Sequence, residues 1–112
     1  MTPTLAEPPE LTALFGALAE PNRRRVLRLV ARREHTVGEL VTTLDLRQSA
    51  VSQHLKVLRD AGLVEARAEG NRRIYQADPA GLAALRAQLD MFWNQALATF
   101  EEVVDHDNTK EE

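Results

Sequence analysis

Residues 47–63, RQSAVSQHLKVLRDAGL, place the strongest structural constraint on this 112-residue chain. Their apolar members follow the i, i+4, i+7 spacing of one helical face and are Val51, Leu55 and Leu58. The other sides of this helix carry glutamine, serine and lysine, with no carboxylate before Asp60. Such side chains can hydrogen-bond base edges and phosphates, although an ordinary exposed helix can also carry them. Gly62 predicts the end of the helix, because glycine readily adopts the left-handed conformation of a C′ residue.

A shorter helix is predicted just before this one. Thr36 and Glu39 have the spacing of a capping box, in which each side chain accepts a hydrogen bond from the other residue's backbone N–H. The inward-facing residues of this helix are Val37, Leu40, Val41 and Leu44. Residues 45–47 leave only a short connection between the two helices. This arrangement predicts a helix-turn-helix, whose second helix enters the major groove of DNA.

A β-hairpin is predicted after Gly62, with strands over residues 63–68 and 72–77. The strands flank Glu69-Gly70-Asn71, where glycine and asparagine can supply the positive φ of a tight turn. Arg72 and Arg73 stand just past the tip and indicate a wing that follows the DNA backbone. A hairpin that only closes the core is the alternative, but it gives no reason for the paired arginines.

Two amphipathic helices flank this unit. The first covers residues 11–18, and the last begins with the cap Asp78 and the first-turn proline Pro79 and ends near Val104. The last helix would be about 39 Å long, more than the helix-turn-helix and wing can cover. We therefore predict a homodimer whose interface contains Leu11, Leu14, Phe15, Leu18, Leu85, Leu89, Phe92, Trp93, Ala96 and Phe100.

The domain prediction follows from these helices. The folded domain covers residues 11–104, residues 1–10 form a flexible N-terminal arm, and residues 105–112 form an acidic disordered tail. No apolar run approaches transmembrane length, and the N-terminus lacks the pattern of a signal peptide, so we expect a cytoplasmic protein.

Charge is distributed unevenly along the chain. The net charge is −3, yet residues 20–35 contain six arginines against Glu20 and Glu34, and the C-terminal third is acidic. This asymmetry is expected when one face of a protein meets phosphate. The six arginines belong to a helix that begins at Pro21, and we expect them to pair within the protein or to contact DNA.

Other chemistries have little support in the sequence. The absence of cysteine excludes disulfides and thiolate metal sites. His35 is expected to be solvent-exposed or part of a helix cap, and His54 to be either a DNA contact or a partly buried packing group. His106 lacks the further ligands that a metal site requires, so we expect no metal and no cofactor. Asp60, Glu65 and Glu69 have no activated nucleophile nearby, and we therefore expect no enzymatic activity.

Three segments resemble the ArsR/SmtB family of winged helix-turn-helix repressors. They are LAEPNRRRVLRLV at 18–30, VSQHLKVLRDAGL at 51–63 and GNRRIY at 70–75, and the resemblance extends over about residues 11–104. It implies a mainly α fold with a β-hairpin wing, and a homodimer built from the first and last helices. It further implies recognition helices in successive major grooves and repression of a promoter, often the protein's own. The residues that it places at the DNA are Gln48, Ser49, Ser52, Gln53 and His54.

The sequence departs from the family pattern at three places. Arg47 stands where many relatives have a capping serine, so it either changes the start of the helix or binds phosphate. Thr36 and Gly38 stand where thiolate sensors have a Cys-x-Cys pair. The last helix has Asp90 but no histidine before His106, so the zinc-ligand pattern is missing. The resemblance is therefore to a branch without the cysteine metal site.

These observations predict a sequence-specific transcriptional regulator that binds a palindromic promoter site. It is predicted to repress transcription, either of other genes or of its own gene. Gln48, Ser52 and Gln53 are predicted to contact base edges. The predicted phosphate contacts are Arg47, Ser49, Lys56, Arg72 and Arg73. A winged-helix module that binds protein is the rival hypothesis, and a sensor with an organic ligand near Phe92 and Trp93 is a third. No effector can be identified from the sequence.

Overall fold

The computed structural model describes residues 9–111, with side chains described for residues 10–106, and it confirms the mainly α fold with a β-hairpin. The elements in chain order are α1 (Pro9–Leu18), α2 (Pro21–Arg32), α3 (Val37–Leu44), α4 (Gln48–Asp60), β1 (Val64–Glu69), β2 (Arg72–Ala77) and α5 (Pro79–Glu111). Helices α3 and α4 form the helix-turn-helix, and β1 and β2 form the wing.

Both ends of the folded part differ from the sequence prediction. Pro9 and Glu10, which are predicted to lie in the flexible arm, are the first residues of α1, since proline suits the first helical position. Residues 1–8 of the predicted arm lie outside the described residues. Helix α5 runs to Glu111 instead of ending near Val104, so residues 105–111 are helical where a disordered tail is predicted. No proline or glycine follows Gly81 in the sequence to interrupt this helix.

The hydrophobic core takes side chains from all of these elements, and α2 packs against α1, α3, α4 and β2. Its buried members are Leu14, Ala17, Val26, Val30, Leu40, Leu44, Val51, Leu55, Leu58, Leu63, Val64, Tyr75 and Leu85. The stripe predicted from 47–63 is thus buried, which fixes the side of α4 that faces outward.

Arginines of α2 donate hydrogen bonds to the backbone carbonyl groups at the end of α1. Arg23 Nη1 donates to the carbonyl oxygens of Gly16 and Ala17, and Arg24 Nη1 donates to that of Leu18 at 2.7 Å. The last carbonyls of a helix have no partner within the helix, and cations are favourable there. Of the two roles predicted for these arginines, the structure therefore supports pairing within the protein for Arg23 and Arg24, with carbonyls as the acceptors.

The capping box of α3 forms as predicted. The backbone N–H of Thr36 donates to Glu39 Oε1 at 2.9 Å, and that of Glu39 donates to Thr36 Oγ1 at 3.2 Å. At the other end, Asp45 adopts the left-handed conformation (φ 54°) and closes the helix with a hydrogen bond to the Val41 carbonyl. Aspartate tolerates this conformation better than most residues, and the chain turns there into α4.

Gly62 ends α4 in a Schellman motif. Its N–H donates to the Arg59 carbonyl, and the N–H of Leu63 donates to the Leu58 carbonyl, both at 2.9 Å. Gly62 has a φ of 79°, and Leu63 is fully buried beside the helix end. The end of the recognition helix is therefore fixed by backbone geometry as well as by packing.

The wing has an antiparallel register in which Val64 pairs with Ala77 and Glu69 with Arg72. Gly70 has a positive φ of 61°, whereas Asn71 does not, so only one of the two predicted turn residues uses that conformation. A backbone bridge adds His35 to the sheet, because its N–H donates to the Tyr75 carbonyl and its carbonyl accepts from the Tyr75 N–H. His35 is buried, with Nδ1 2.8 Å from the Arg33 carbonyl, in contrast to the solvent or cap role expected for it.

The apolar surface assigned to the dimer interface divides into two groups. Leu11, Leu14 and Leu85 are buried within the protomer and Leu18 packs against the core, because α1 packs against both α2 and α5. Three of these side chains are therefore covered within the protomer and Leu18 is partly covered, while their place in the dimer interface stays a prediction.

The rest of the assigned surface is exposed. Trp93 and Phe100 are 62% and 64% exposed, and the other exposed members are Phe15, Leu89, Phe92 and Ala96. Phe15 and Phe92 form an edge-to-face pair with ring centroids 6.1 Å apart. Helix α5 has further exposed apolar side chains, namely Met91, Leu97, Val103 and Val104.

Candidate nucleic-acid interface

The outward side of α4 carries the predicted base contacts. Gln48, Ser49, Ser52 and Gln53 are exposed, whereas Val51, Leu55 and Leu58 are buried behind them. All four exposed side chains lie in the N-terminal half of the helix, the half that enters the groove in helix-turn-helix proteins. Amide and hydroxyl groups can donate and accept at base edges, so this surface is chemically suited to read DNA.

Arg47 occupies the N-cap position of α4 in an extended conformation (φ −66°, ψ 148°), and its side chain makes no capping hydrogen bond. The departure from a capping serine noted in the sequence therefore has a structural effect, since the first-turn N–H groups have no side-chain cap. Positive partial charge at a helix N-terminus favours anions, and the exposed Arg47 adds a full positive charge at the same end.

His54 is turned away from this surface. Its side chain is only 14% exposed, and Nε2 lies 3.4 Å from Oε2 of Glu20, the N-cap residue of α2. Nδ1 is buried and has no hydrogen-bond partner among the described residues. The sequence left His54 as either a DNA contact or a partly buried packing group, and this geometry favours the packing group.

Glu20 is held in its charged form by its surroundings. Burial alone would raise its pKa, but hydrogen bonds from the backbone N–H groups of Asn22 and Arg23, together with the charges of His54 and Arg23, lower the pKa below its ordinary value. The same carboxylate therefore caps α2 and contacts α4. The contact with α4 was not predicted, although the N-cap position before Pro21 is visible in the sequence.

Lys56 is exposed and pairs with Asp60 one helical turn later, with Nζ 2.9 Å from Oδ2. Both side chains are largely solvent-exposed, and surface pairs of this kind are weak. Lys56 can therefore leave Asp60 for a phosphate at little cost.

The wing arginines Arg72 and Arg73 are exposed, and neither forms an ion pair with any described residue. Arg67 on the other strand behaves differently. Its guanidinium contacts Glu34 at 2.7 Å and Glu69 at 3.1 Å, which raises the pKa of Arg67 and lowers that of Glu34. Arg67 thus ties the wing to the segment after α2. No sequence pattern indicates this ion pair, because Glu34 is distant along the chain.

Metal-binding clusters and membrane-spanning helices are two features that would suggest other functions. Among the side chains that the structure describes, those of residues 10–106, no cluster of three or more from histidine, aspartate or glutamate is placed to hold a metal ion. In the same part of the chain, no helix is both long enough and apolar enough to cross a bilayer.

A helix-turn-helix with an exposed, carboxylate-free recognition surface and a basic two-stranded wing defines a winged helix-turn-helix DNA-binding protein. Comparison with known families agrees, because the model of the bacterial regulatory proteins of the arsR family matches residues 20–66. The chain belongs to the arsR family of transcriptional regulators, as its sequence resemblance indicates, and this is a family of DNA-binding regulators rather than enzymes.

Individual relatives agree with this assignment. The chain is 48% identical over 91 residues to the HTH-type transcriptional regulator Rv2034 of Mycobacterium tuberculosis, covering 81% of this chain and 85% of that protein. It is 42% identical over 67 residues to the biofilm growth-associated repressor of Agrobacterium fabrum, covering 60% of this chain and 57% of the repressor. The solution structure of the homodimeric winged helix-turn-helix DNA-binding domain Mb0332 of Mycobacterium bovis superposes with a TM-score of 0.63 at 30% identity, covering 77% of this chain and 80% of that one.

Proposed function

We propose that this protein binds an inverted-repeat promoter site as a homodimer and represses transcription from it, its own promoter included. The observation that carries the proposal is the exposed row of Gln48, Ser49, Ser52 and Gln53 on a helix whose opposite side is buried in the core. A rigidly held helix that presents amide and hydroxyl groups is suited to sequence-specific contact with base edges.

The exposed side chains divide by chemistry into two groups. Gln48, Ser52 and Gln53 contact base edges in the major groove, because amides and hydroxyls can satisfy the donor and acceptor pattern there. The phosphate contacts are Arg47, Ser49, Lys56, Arg72 and Arg73, with the two wing arginines reaching the backbone beside the recognition helix. His54 is left out of the proposed contacts because its ring faces Glu20.

The homodimer is supported by the exposed apolar side chains of α5. Phe92, Trp93, Leu97 and Phe100 lie along a helix that has little other cover, and a soluble protein rarely exposes so many large apolar groups without a partner. The Mycobacterium bovis relative is described as homodimeric. Two-fold symmetry would place two recognition helices in major grooves about 34 Å apart, which calls for an inverted repeat.

Repression is the outcome that this geometry favours. A dimer that occupies two successive major grooves covers the DNA that the transcription machinery must contact, and the Agrobacterium relative is named a repressor. Regulation by thiolate-bound metal requires cysteine, which this chain does not contain. Control by an organic ligand near Phe92 and Trp93 and control by protein concentration both remain compatible with this dimer.

The test is selection of operators from randomised duplex DNA by the full chain, followed by affinity measurements at several salt concentrations. We expect the selected sites to be inverted repeats, and the logarithm of affinity to fall with the logarithm of salt concentration by about 0.9 per phosphate neutralised. Recovery of no common sequence, with affinity independent of salt, would instead support a winged-helix module that binds protein.

Repression is tested separately by a reporter gene placed behind the selected site. Expression should fall when the wild-type protein is present and recover when Gln53→Ala replaces it. A rise in expression with the wild-type protein would identify an activator and contradict this part of the proposal.

A further inference from the structure

The first turn of α5 rests directly on the end of the recognition helix. A Cβ atom on Gly81 would overlap the carbonyl oxygen of Gly62 and lie 2.8 Å from its carbonyl carbon and 3.4 Å from Cα of Leu63. All of these neighbours are backbone atoms, which cannot move aside as the end of a flexible side chain can. Gly81 therefore allows an approach between α5 and the α4–β1 turn that any other residue would prevent.

Hydrogen bonds hold the same two segments together. The backbone N–H of Asp78 donates to the Leu63 carbonyl at 2.9 Å. The side chain of Asp78 caps α5, with Oδ1 accepting from the N–H of Ala80 at 3.0 Å and of Gly81 at 3.3 Å. Because Gly62 itself is the C′ residue of α4, one short stretch of backbone ends the recognition helix and supports the start of α5.

We call Gly62, Leu63, Asp78 and Gly81 the α4–α5 junction. Beyond Leu85, none of the α5 side chains described, up to residue 106, is buried, so this helix meets the protein body through its first turns and through the contact of Phe92 with Phe15 of α1. In the proposed homodimer the exposed part of α5 joins the two protomers. The angle between α4 and α5 then determines how far apart, and in what relative orientation, the two recognition helices stand.

We propose that the backbone contact of Gly81 with Gly62 sets the half-site spacing that the dimer selects, which makes Gly81 a positioning residue that does not itself contact DNA. This inference rests on the proposed function, since it requires a dimer on an inverted repeat. A side chain at position 81 would push α5 away from the junction, and the displacement would be carried along both helices to the DNA. Each base pair of spacer changes the separation by about 3.4 Å and also rotates one half-site about the DNA axis.

The experiment uses the full chain and a set of duplexes in which the same two half-sites are separated by spacers that change one base pair at a time. A duplex with a single half-site is measured alongside. For the wild type we expect one preferred spacing. For Gly81→Ala we expect at least tenfold weaker binding at that spacing, a preference moved to another spacer or lost, and single half-site affinity within about twofold of wild type. Gly16→Ala is the matched control, because a Cβ at that helical glycine would have no neighbour within 4 Å apart from the adjoining residues and backbone of its own helix, and it should keep the wild-type profile.

The outcomes separate this inference from the proposed function. If the wild type has no preferred spacing, the proposed dimer on an inverted repeat fails. If the wild type has one and folded Gly81→Ala keeps it, even with a lower melting temperature, the junction does not set the spacing and the inference is overturned.

A second variant covers the case in which Gly81→Ala does not fold. Asp78→Ala removes both side-chain cap bonds that hold the first turn of α5, including the one from Gly81, and so loosens the contact of Gly81 with Gly62 without adding a clash. It should reduce the discrimination between the best spacer and its neighbours at least threefold. Asp78→Asn retains the Oδ1 acceptor and should restore that discrimination. Unchanged discrimination in Asp78→Ala also overturns the inference.

Discussion

His54 Nε2 lies 3.4 Å from Glu20 Oε2, so the histidine of the recognition helix faces the N-cap of α2 rather than the solvent. Glu20 Oε2 also accepts a hydrogen bond from the backbone N–H of Arg23 at 2.9 Å. The contact joins the start of one helix to the middle of another, and it separates His54 from its neighbours Ser52 and Gln53, which are exposed.

His54→Ala should lower the melting temperature and leave the base preference of the protein unchanged. The reason is that the ring packs inside the domain, so its loss leaves a gap beside Glu20 and removes nothing from the DNA-facing surface. Thermal unfolding and competition binding against single-base operator variants measure the two effects. A melting temperature equal to wild type, with altered base preference, would place His54 back among the DNA contacts.

Gln53→Ala should show the reverse pattern. Because this side chain is exposed, the fold should lose little stability, whereas binding should weaken by about 1 to 3 kcal/mol and one base pair per half-site should lose its preference. His54→Ala is the matched control, because it truncates the next residue of the same helix. The assignment is contradicted if every single-base operator variant keeps its wild-type ranking.

Arg72→Ala and Arg73→Ala should weaken binding to all sequences alike. Both guanidinium groups are exposed and unpaired among the described residues, so each is free to neutralise a phosphate. The slope of log affinity against log salt should become shallower by about 0.9 for each phosphate that the variant no longer neutralises. If Arg73→Ala changes base preference while Gln53→Ala does not, the roles of wing and recognition helix are reversed.

Trp93→Asp should disrupt the homodimer although the tryptophan is 62% exposed within the protomer. A charge at a solvent-exposed position is tolerated, but the same charge buried against a second copy is not. Sedimentation or light scattering should show a dimer for the wild type and monomer or aggregate for the variant. Gln95→Asp, an exposed position on the same helix, is the control and should remain dimeric. A wild-type chain that is monomeric at micromolar concentration would contradict the proposed assembly.

Acid should destabilise the folded protein through three carboxylates. The pKa is lowered in Glu34 by the hydrogen bond from Arg67 and in Glu39 chiefly by the backbone N–H of Thr36, and the pKa of Glu20 is also shifted downward. A lowered folded-state pKa gives stability that is complete above the ordinary value of 4.5 and is lost as pH falls through the lower folded-state values. Urea unfolding at about pH 6 and about pH 3.5 should show this loss, and Glu39→Gln should reduce it. Glu102→Gln, on the exposed part of α5, should leave the loss unchanged.

Local chemistry made much of the fold predictable. The capping box of Thr36 and Glu39, the end of α4 at Gly62 and the apolar stripe of α4 each depend on residues close together in the sequence, and all three form as expected. The exposure of the recognition surface followed from that stripe, because burying one side of a helix fixes the other.

Contacts between distant segments were not predictable in the same way. Burial of His35 depends on its bridge to Tyr75, and the orientation of His54 depends on Glu20, so nothing near either histidine indicates its surroundings. Leu11 and Leu85 are buried within the protomer, which the sequence does not indicate, because an amphipathic pattern shows that a face is covered without showing by what. Only the packing of α1 against α5 decides that question.

The backbone bridge between His35 and Tyr75 also has a consequence for folding. It joins the segment before the helix-turn-helix to the last strand of the wing, so the chain from α3 to β2 forms one closed loop. The helices and the hairpin inside this loop are built from local contacts and can form early, whereas the bridge must wait until the ends of the loop meet. The amide hydrogens of His35 and Tyr75 should therefore acquire protection from solvent exchange later than those within α4.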